Sequence, residues 1–244
     1  MWYTEPNDFY LEGSMNFVFD LYGTLVDIKT DESPASFWRS VCRELGTSRL
    51  LWRSVRREYL SLCRAKKESE EHEIELLDVF GEMLRNRGRP ESDAQRLALA
   101  FREASTEKLK LFSGVKEMLL SLREAGAGVY LLSNAQSCFT RHEIELLGID
   151  SLFDGIIISS EVGVKKPSEK IFRIAFERFG ISACDSVYVG NDLRDDVLGA
   201  TAVGMRTVYI RTEQSGEYPS LTLPSPTYVA SDHDELSQLL LSLL

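Results

Sequence analysis

An aspartate, Asp20, closes a short apolar run beginning at Asn16, and the pair Gly23-Thr24 follows it within FDLYGTLVD, residues 19–27. Three further apolar runs end in polar residues. GVYLLSN ends in Ser133-Asn134; GIIISSEVG leads into Lys165-Lys166-Pro167; SVYVGND ends in Gly190-Asn191-Asp192, with Asp195 and Asp196 just beyond. A lone Asp or Ser at such a place commonly marks only the start of a turn. The ordered set of four is a coherent catalytic group. Asp20 can be a nucleophile that forms a covalent intermediate. The hydroxyls of Thr24 and Ser133, with nearby backbone N–H groups, can hold an anionic oxygen. Lys166 can neutralise developing charge, and the acids can hold that lysine or ligate a hard cation such as Mg²⁺.

The elements that must position these residues follow from the pattern of apolar positions. NFVFD, GVYLLSN, GIIISSEVG, SVYVGND, RTVYI and TYVASD are short and apolar on both faces, as parallel strands covered by helices on each side must be. Val115, Met118, Leu119 and Leu122 make a helical stripe closed by Gly126; Ile171, Phe172, Ala175, Phe176 and Phe179 make another closed by Gly180. A third helix is predicted from about Asp195 to Gly204. Alternating strands and helices predict an α/β fold with a doubly wound parallel sheet. In such sheets ligands sit beyond the carboxyl ends of the strands, where all four polar groups fall.

Residues 29–108 differ in texture. They contain no convincing strand and several helical stripes: Phe37, Val41, Leu45; Leu51, Val55, Tyr59, Leu62; Leu76, Phe80, Met83; Leu97, Phe101. Gly46, Gly88 and Pro90 punctuate them. A helical bundle is therefore expected between the first strand and the next, dividing the chain into 1–28 with 109–244 and an inserted 29–108. The charged stretches from Arg56 to Lys67 and from Glu68 to Glu75 read as solvated helix faces. Trp38, Trp52 and Tyr59 read as helix-packing aromatics.

With 244 residues, 43% of them hydrophobic, the chain can bury a sizeable core, and its net charge of −10 argues against a nucleic-acid-binding surface. Cys42, Cys63, Cys138 and Cys184 show no C-x-x-C spacing and read as small buried apolar residues of a reducing compartment. MWYTEPNDFYLEGS lacks the basic and apolar regions of a signal peptide, and no apolar run approaches a bilayer span. A cytoplasmic protein is expected, without a membrane or nucleic-acid partner, with residues 1–14 as a surface strap ahead of Met15.

In this order the motifs resemble the haloacid dehalogenase superfamily of hydrolases, over almost the whole chain from Asn16 to the last strand. FDLYGTL resembles motif one, LLSN motif two, Lys166 in VKKP motif three and VGNDLRDDVLGATAVGM motif four; 29–108 holds the place of a helical cap. The resemblance implies a Rossmann-like core, Asp20 as nucleophile, Thr24 and Ser133 binding the substrate's anionic group beside Asn134, and Lys166 supporting Asp20. It also implies Asp195 or Asp196 positioning the lysine or contributing to a Mg²⁺ site, and a small anionic substrate.

Two departures pull in opposite directions. Most members are Mg²⁺-dependent phosphatases whose motif one reads D-x-D, the second Asp serving as general acid and base. Here that place is Tyr22, a phenol with an ordinary pKa near ~10 that cannot be a base near neutrality. D-x-Y-G-T-L resembles instead the 2-haloacid dehalogenases, whose halide leaves without a proton. LLWRSVRREY resembles their substrate-binding segment, which would give Arg53 an anion to bind; spacing alone favours a solvated helix face for it. Motif four is closer to the phosphatases, although Asn191 holds the place of the usual first acid. The dehalogenases' tyrosine after motif three falls at Phe172. Metal ligands would come from Asp20, the Tyr22 carbonyl, Asn191, Asp192, Asp195 and Asp196. The expected activity is a hydrolase with an aspartyl intermediate, foremost a Mg²⁺-dependent phosphomonoesterase, alternatively a metal-independent 2-haloacid dehalogenase, and third a catalytically weak relative that binds a phosphorylated ligand.

Overall fold

The computed structural model describes residues 15–244; the expected strap at 1–14 lies outside the described residues. The six predicted strands are all present: β1 (Asn16–Phe19), β4 (Gly128–Ser133), β5 (Gly155–Ile158), β6 (Ser186–Gly190), β7 (Arg206–Ile210) and β8 (Tyr228–Ala230). They form one parallel sheet in the order β5-β4-β1-β6-β7-β8. The first strand is thus central, and the chain winds outward from it on both sides. Its carboxyl end is the switch point at which a crevice must open.

Successive side chains of a strand point to opposite faces, which is why these runs are apolar throughout. Phe17 and Phe19 of β1, Val129 and Leu131 of β4, and Val187 and Val189 of β6 pack with α5 (Val115–Glu124) and α10 (His233–Ser242). Val18, Leu132 and Tyr188 point the other way, onto α8 (Glu169–Phe179) and α9 (Gly199–Ala202). Each fully buried Val, Leu or Phe contributes about 1.5–3 kcal/mol, so burial on both faces fixes the register. α5 and α8 stop just before Gly126 and Gly180, as their stripes predict. The third predicted helix is a wide π turn, Leu193–Leu198, that runs into α9.

Between the first two strands of this sheet the chain makes α1 (Ala35–Glu44), α2 (Trp52–Lys66), α3 (Leu76–Arg85) and α4 (Ala94–Ser105). These helices bury a core of their own, with Trp38, Val41, Tyr59, Phe80, Met83 and Phe101 at its centre. Cys138 and Phe139 of α6 (Ser137–Leu146) join that core.

Two expectations fail here. Residues 26–30 and 106–111 are strands, β2 (Val26–Thr30) and β3 (Thr106–Leu111), paired antiparallel at the foot of the helical segment. Both carry several charged or polar residues, so neither looks like a buried strand. The acidic stretch is no solvated helix face either. Its backbone meets the opposite unit through Glu73 N to Gly163 O and Lys165 N to Glu71 O. Gln136 donates to Glu73 and to the Ile74 carbonyl. Of the cysteines, Cys42 and Cys138 are buried, whereas Cys63 is half-buried and Cys184 exposed.

Candidate active site

β1 delivers Asp20 to the sheet's carboxyl edge, where its N–H still donates to the Val189 carbonyl at 2.9 Å. The chain then turns tightly over Leu21–Val26, with Gly23 at φ +84°. A Cβ on Gly23 would lie 2.4 Å from the Asn191 side chain. Motif four can therefore pack on motif one only because residue 23 is glycine.

Lys166 is fully buried, and its three N–H donors meet three oxygens: Asp20 Oδ1 at 2.8 Å, Asp196 Oδ1 at 2.7 Å and the Tyr188 hydroxyl at 2.8 Å. Tyr188 passes its own proton to the Leu132 carbonyl. Burial opposes the charge on Lys166, yet the Asp196 and Asp20 carboxylates outweigh it and hold its pKa well above the ordinary lysine value. Burial pushes the Asp196 carboxyl up to about 7, against the pull of the Lys166 ammonium and the Asp192 N–H. Lys166 therefore stays charged near neutrality, while Asp196 beside it titrates in that range.

Asp20 Oδ1 also takes the Ser133 hydroxyl at 3.3 Å, and its other oxygen, Oδ2, takes the Thr24 hydroxyl at 3.1 Å. Ser133 also lines a cavity of about 190 Å³ with Asp20, Tyr22, Asn134, Lys166, Asn191, Asp192, Asp195, Asp196 and Gln214. That volume suits one phosphate-sized group. Thr24 is fully buried on Asp20 and Asn191, so it steadies the carboxylate rather than facing the cavity, contrary to the substrate-binding role expected of it. Asn134 donates to the Lys166 carbonyl and Asp195 Oδ2 and accepts from the Lys166 N–H, tying three motif loops together. The N–H groups of Leu21, Tyr22 and Asn134 meet no acceptor among the described residues, which leaves donors for an incoming anion beside Asp20.

The motif-four acids divide by what they touch. Both oxygens of Asp196 are taken, one by Lys166 and Tyr188, the other by the Asp192 N–H. Asp192 caps the π turn through the N–H groups of Arg194 and Asp195, and its second oxygen accepts from Tyr218 at 2.6 Å. Asp195 keeps one oxygen free, and burial together with neighbouring Asp192 raises its pKa. No three Asp, Glu, His or Cys side chains form a ready-made cation cage among the described residues. Mg²⁺ does not need one, because it is usually held by one or two carboxylates with water and substrate phosphate completing the shell. Asp20 and Asp195, with the Asn191 amide oxygen and the Tyr22 carbonyl, fit that requirement; Asp192 and Asp196 are committed elsewhere.

Tyr22 lines the cavity, but its hydroxyl is turned to Thr140 at 3.0 Å and to Glu143. Burial, reinforced by the charge of Glu143, raises the phenol's pKa above its ordinary value. Arg53 lies apart from the Asp20 cavity, on the exposed side of α2 with its guanidinium 4.4 Å over the Trp52 ring. The inward face of α2 is taken by Val55 and Tyr59. Phe172 packs edge-on to Tyr188. Three participants escaped the sequence: Gln214 on the cavity wall, Tyr218 on Asp192, and Thr212, which donates to the Gly23 carbonyl and accepts from Asn191. All follow β7 in a loop without a motif; its only signal is a cluster of polar and aromatic residues, TEQSGEY.

A family model for haloacid dehalogenase-like hydrolases matches residues 15–204. The chain belongs to that family. It is a hydrolase of the haloacid dehalogenase superfamily. Among curated relatives it is 30% identical over 149 residues to ribulose-1,5-bisphosphate 5-phosphatase of Halopiger xanaduensis, covering 60% of this chain and 62% of that one. It is 34% identical over 113 residues to glyceraldehyde 3-phosphate phosphatase of Pyrococcus abyssi, covering 46% and 48%. The chain thus spans between about half and three fifths of the length of these relatives. Among solved structures, a HAD phosphatase from Thermococcus onnurineus superposes with a TM-score of 0.61 at 23% identity, covering 93% and 97% of the two chains. A 2-haloacid dehalogenase from Pseudomonas syringae pv. Tomato DC3000 superposes at 0.59 and 20% identity, covering 95% and 100%. At such identities these superpositions speak for the fold alone. No helix of the described residues is long and apolar enough to cross a membrane.

Proposed function

We propose that this hydrolase cleaves small phosphomonoesters through a covalent aspartyl-phosphate at Asp20, with Mg²⁺ as cofactor, and that residues 29–108 act as its cap. The observation that carries the reading is the cavity itself. It is phosphate-sized, walled by Asp20, Lys166, Asn134 and the motif-four acids, and served by unpaired backbone donors. The names of the curated relatives point the same way.

Asp20 Oδ1 is held by Lys166 and Ser133, which orients the carboxylate and leaves Oδ2, steadied by Thr24, to attack phosphorus. The phosphoryl oxygens would take the N–H groups of Leu21, Tyr22 and Asn134, and the Lys166 ammonium offsets the charge gathering there. Asp20, Asp195, Asn191 and the Tyr22 carbonyl would hold Mg²⁺, which when bound supplies charge neutralisation to the phosphate. The Tyr22 phenol donates to Glu143 and supplies no proton to the leaving group. Substrates whose leaving group needs little protonation are therefore favoured. Release of phosphate from p-nitrophenyl phosphate, lost with chelator and in Asp20→Asn, is the expected result; turnover that survives chelation overturns the metal-dependent reading.

The same phenol supports a second reading, a metal-independent 2-haloacid dehalogenase in which Asp20 attacks carbon and halide leaves unprotonated. Chloride release from 2-chloropropionate in the presence of chelator is its test, and the absence of halide from any short 2-haloacid removes it.

A further inference from the structure

Glu143 is a buried carboxylate that none of the chemistry above uses. It sits on α6 with 4% of its surface exposed. Arg102, from α4, grips it side-on, Nε to Oε1 at 2.6 Å and a terminal nitrogen to Oε2 at 3.2 Å. The Oε2 oxygen also accepts the Tyr22 hydroxyl. Among the described residues this is the one ion pair joining helices α1–α4 to the parallel-sheet unit. Arg102 also lies over the rings of Tyr22, at 5.5 Å, and Phe139, at 5.2 Å. Three parts of the molecule therefore meet on one carboxylate: the turn that follows Asp20, the helix after Ser133-Asn134, and the last helix of the insertion.

We propose that Glu143 is a positioning residue that acts through Tyr22, fixing the turn after Asp20 against the helical insertion. This role rests on the phosphatase reading for its kinetic consequence but not for its structural one. A charge-assisted bidentate pair has a narrow geometry, and its partner on α4 is stacked on the ring it must steady. With the phenol anchored to Glu143, Tyr22 cannot swing toward the leaving group, and its carbonyl and N–H keep their places beside Asp20. Residue 22 thus connects the turn to the insertion through its hydroxyl.

Hydrogen exchange and p-nitrophenyl phosphate hydrolysis test this in Glu143→Ala, Glu143→Gln, Tyr22→Phe and the Tyr22→Phe/Glu143→Ala double variant. Glu143→Ala is expected to speed exchange at Gly23, Thr24, Leu25 and Val26 and to lower kcat by roughly 10- to 100-fold, the scale of a small misplacement of reacting groups, with KM little changed. Glu143→Gln keeps one acceptor oxygen, but it turns an amide NH2 toward an Arg102 donor and drops the charge, so it is expected to restore only part of each. Adding Tyr22→Phe to Glu143→Ala should then cause no further loss. Additive losses, or unchanged exchange at those four amides in Glu143→Ala, overturn the proposal. If the wild-type protein releases no phosphate, the proposed activity fails, and the exchange pattern still decides the role of Glu143. Should Glu143→Ala not fold, Tyr22→Phe alone carries the test: it removes the tether and is expected to speed exchange at the same four amides, and unchanged exchange there overturns the proposal.

Discussion

Asp20 and Asp196 share one ammonium: Lys166 Nζ lies 2.8 Å from the first and 2.7 Å from the second, and the lysine and Asp196 are each all but sealed from solvent. Neither carboxylate could be buried here without it. The wall facing the substrate and the wall facing the core are thus held by the same cation, so stability and catalysis are coupled at this point.

Replacing the cation exposes that coupling. Lys166→Met leaves Asp196 buried with no counter-ion and should cost roughly 3–5 kcal/mol at pH 8, as losing one partner of a buried pair does. Without the ammonium that opposes burial, the Asp196 pKa rises beyond about 7. A folded-state pKa above the unfolded ~3.9 means that the folded form binds the proton more tightly, so stability returns as pH falls through the folded value. Urea unfolding at pH 8 and pH 5.5 should show the variant's deficit shrinking in acid. A deficit independent of pH would contradict the arrangement.

In the wild-type protein the same acid sets a pH limit on activity. Protonation of Asp196 as pH falls through about 7 leaves Lys166 with Asp20 as its one anionic partner, which tightens that pair and blunts the nucleophile. The profile of kcat/KM should therefore carry an acid limb with a midpoint near that value, absent in Asp196→Asn. By the sign of the shift this group adds stability on acidification, so the activity should fall while Tm holds or rises between pH 8 and pH 6.

The parallel sheet and the polar residues at its carboxyl edge are legible in the apolar runs themselves. β1 and β6 are apolar on both faces and end in their functional residues, so period and position could be read together. The π turn hid inside a helical pattern because Val197 and Ala200 still face the core. β2 and β3 were illegible for a physical reason: they form a two-strand ladder whose outward residues, among them Lys29, Thr30 and Lys108, are charged or polar. The partners of the site were harder still. Nothing in a linear sequence says that the phenol of Tyr22 turns 121 residues away to Glu143, or that Tyr218 holds Asp192. Such pairings depend on which loops meet above the switch point, and that is a property of the assembled sheet.

Gly190 gives a sharp steric test. A Cβ there would stand 2.3 Å from Asp196 Oδ2, 2.4 Å from its Cγ and 2.6 Å from its Cβ. Neither group can retreat, since Asp196 is fixed by Lys166 and Gly190 by its strand. Gly190→Ala should push the carboxylate off the ammonium, lowering kcat steeply and destabilising the fold by about 1–3 kcal/mol, the usual range for overpacking. Thermal unfolding beside phosphatase kinetics checks both; an unperturbed Tm would mean that the strand end yields easily.

Asn191 offers the converse experiment, a gain. Its amide packs on Gly23 and donates to Thr212, and the residue lines the cavity together with Asp195. Asn191→Asp keeps the shape and adds a negative charge where the proposed Mg²⁺ shell has only two carboxylates. The Thr212 hydroxyl can turn from the Gly23 carbonyl to donate to the new acid, so the change need not disturb the turn. One added charge at a few ångströms in a partly solvated site is worth about 1–4 kcal/mol, and about 1.4 kcal/mol is tenfold in affinity. Calorimetric titration with Mg²⁺ alone should therefore show binding tightened by roughly tenfold or more. Equal affinity in the two proteins would place the cation away from residue 191 and shift the donor set toward Asp20 and Asp195 by themselves.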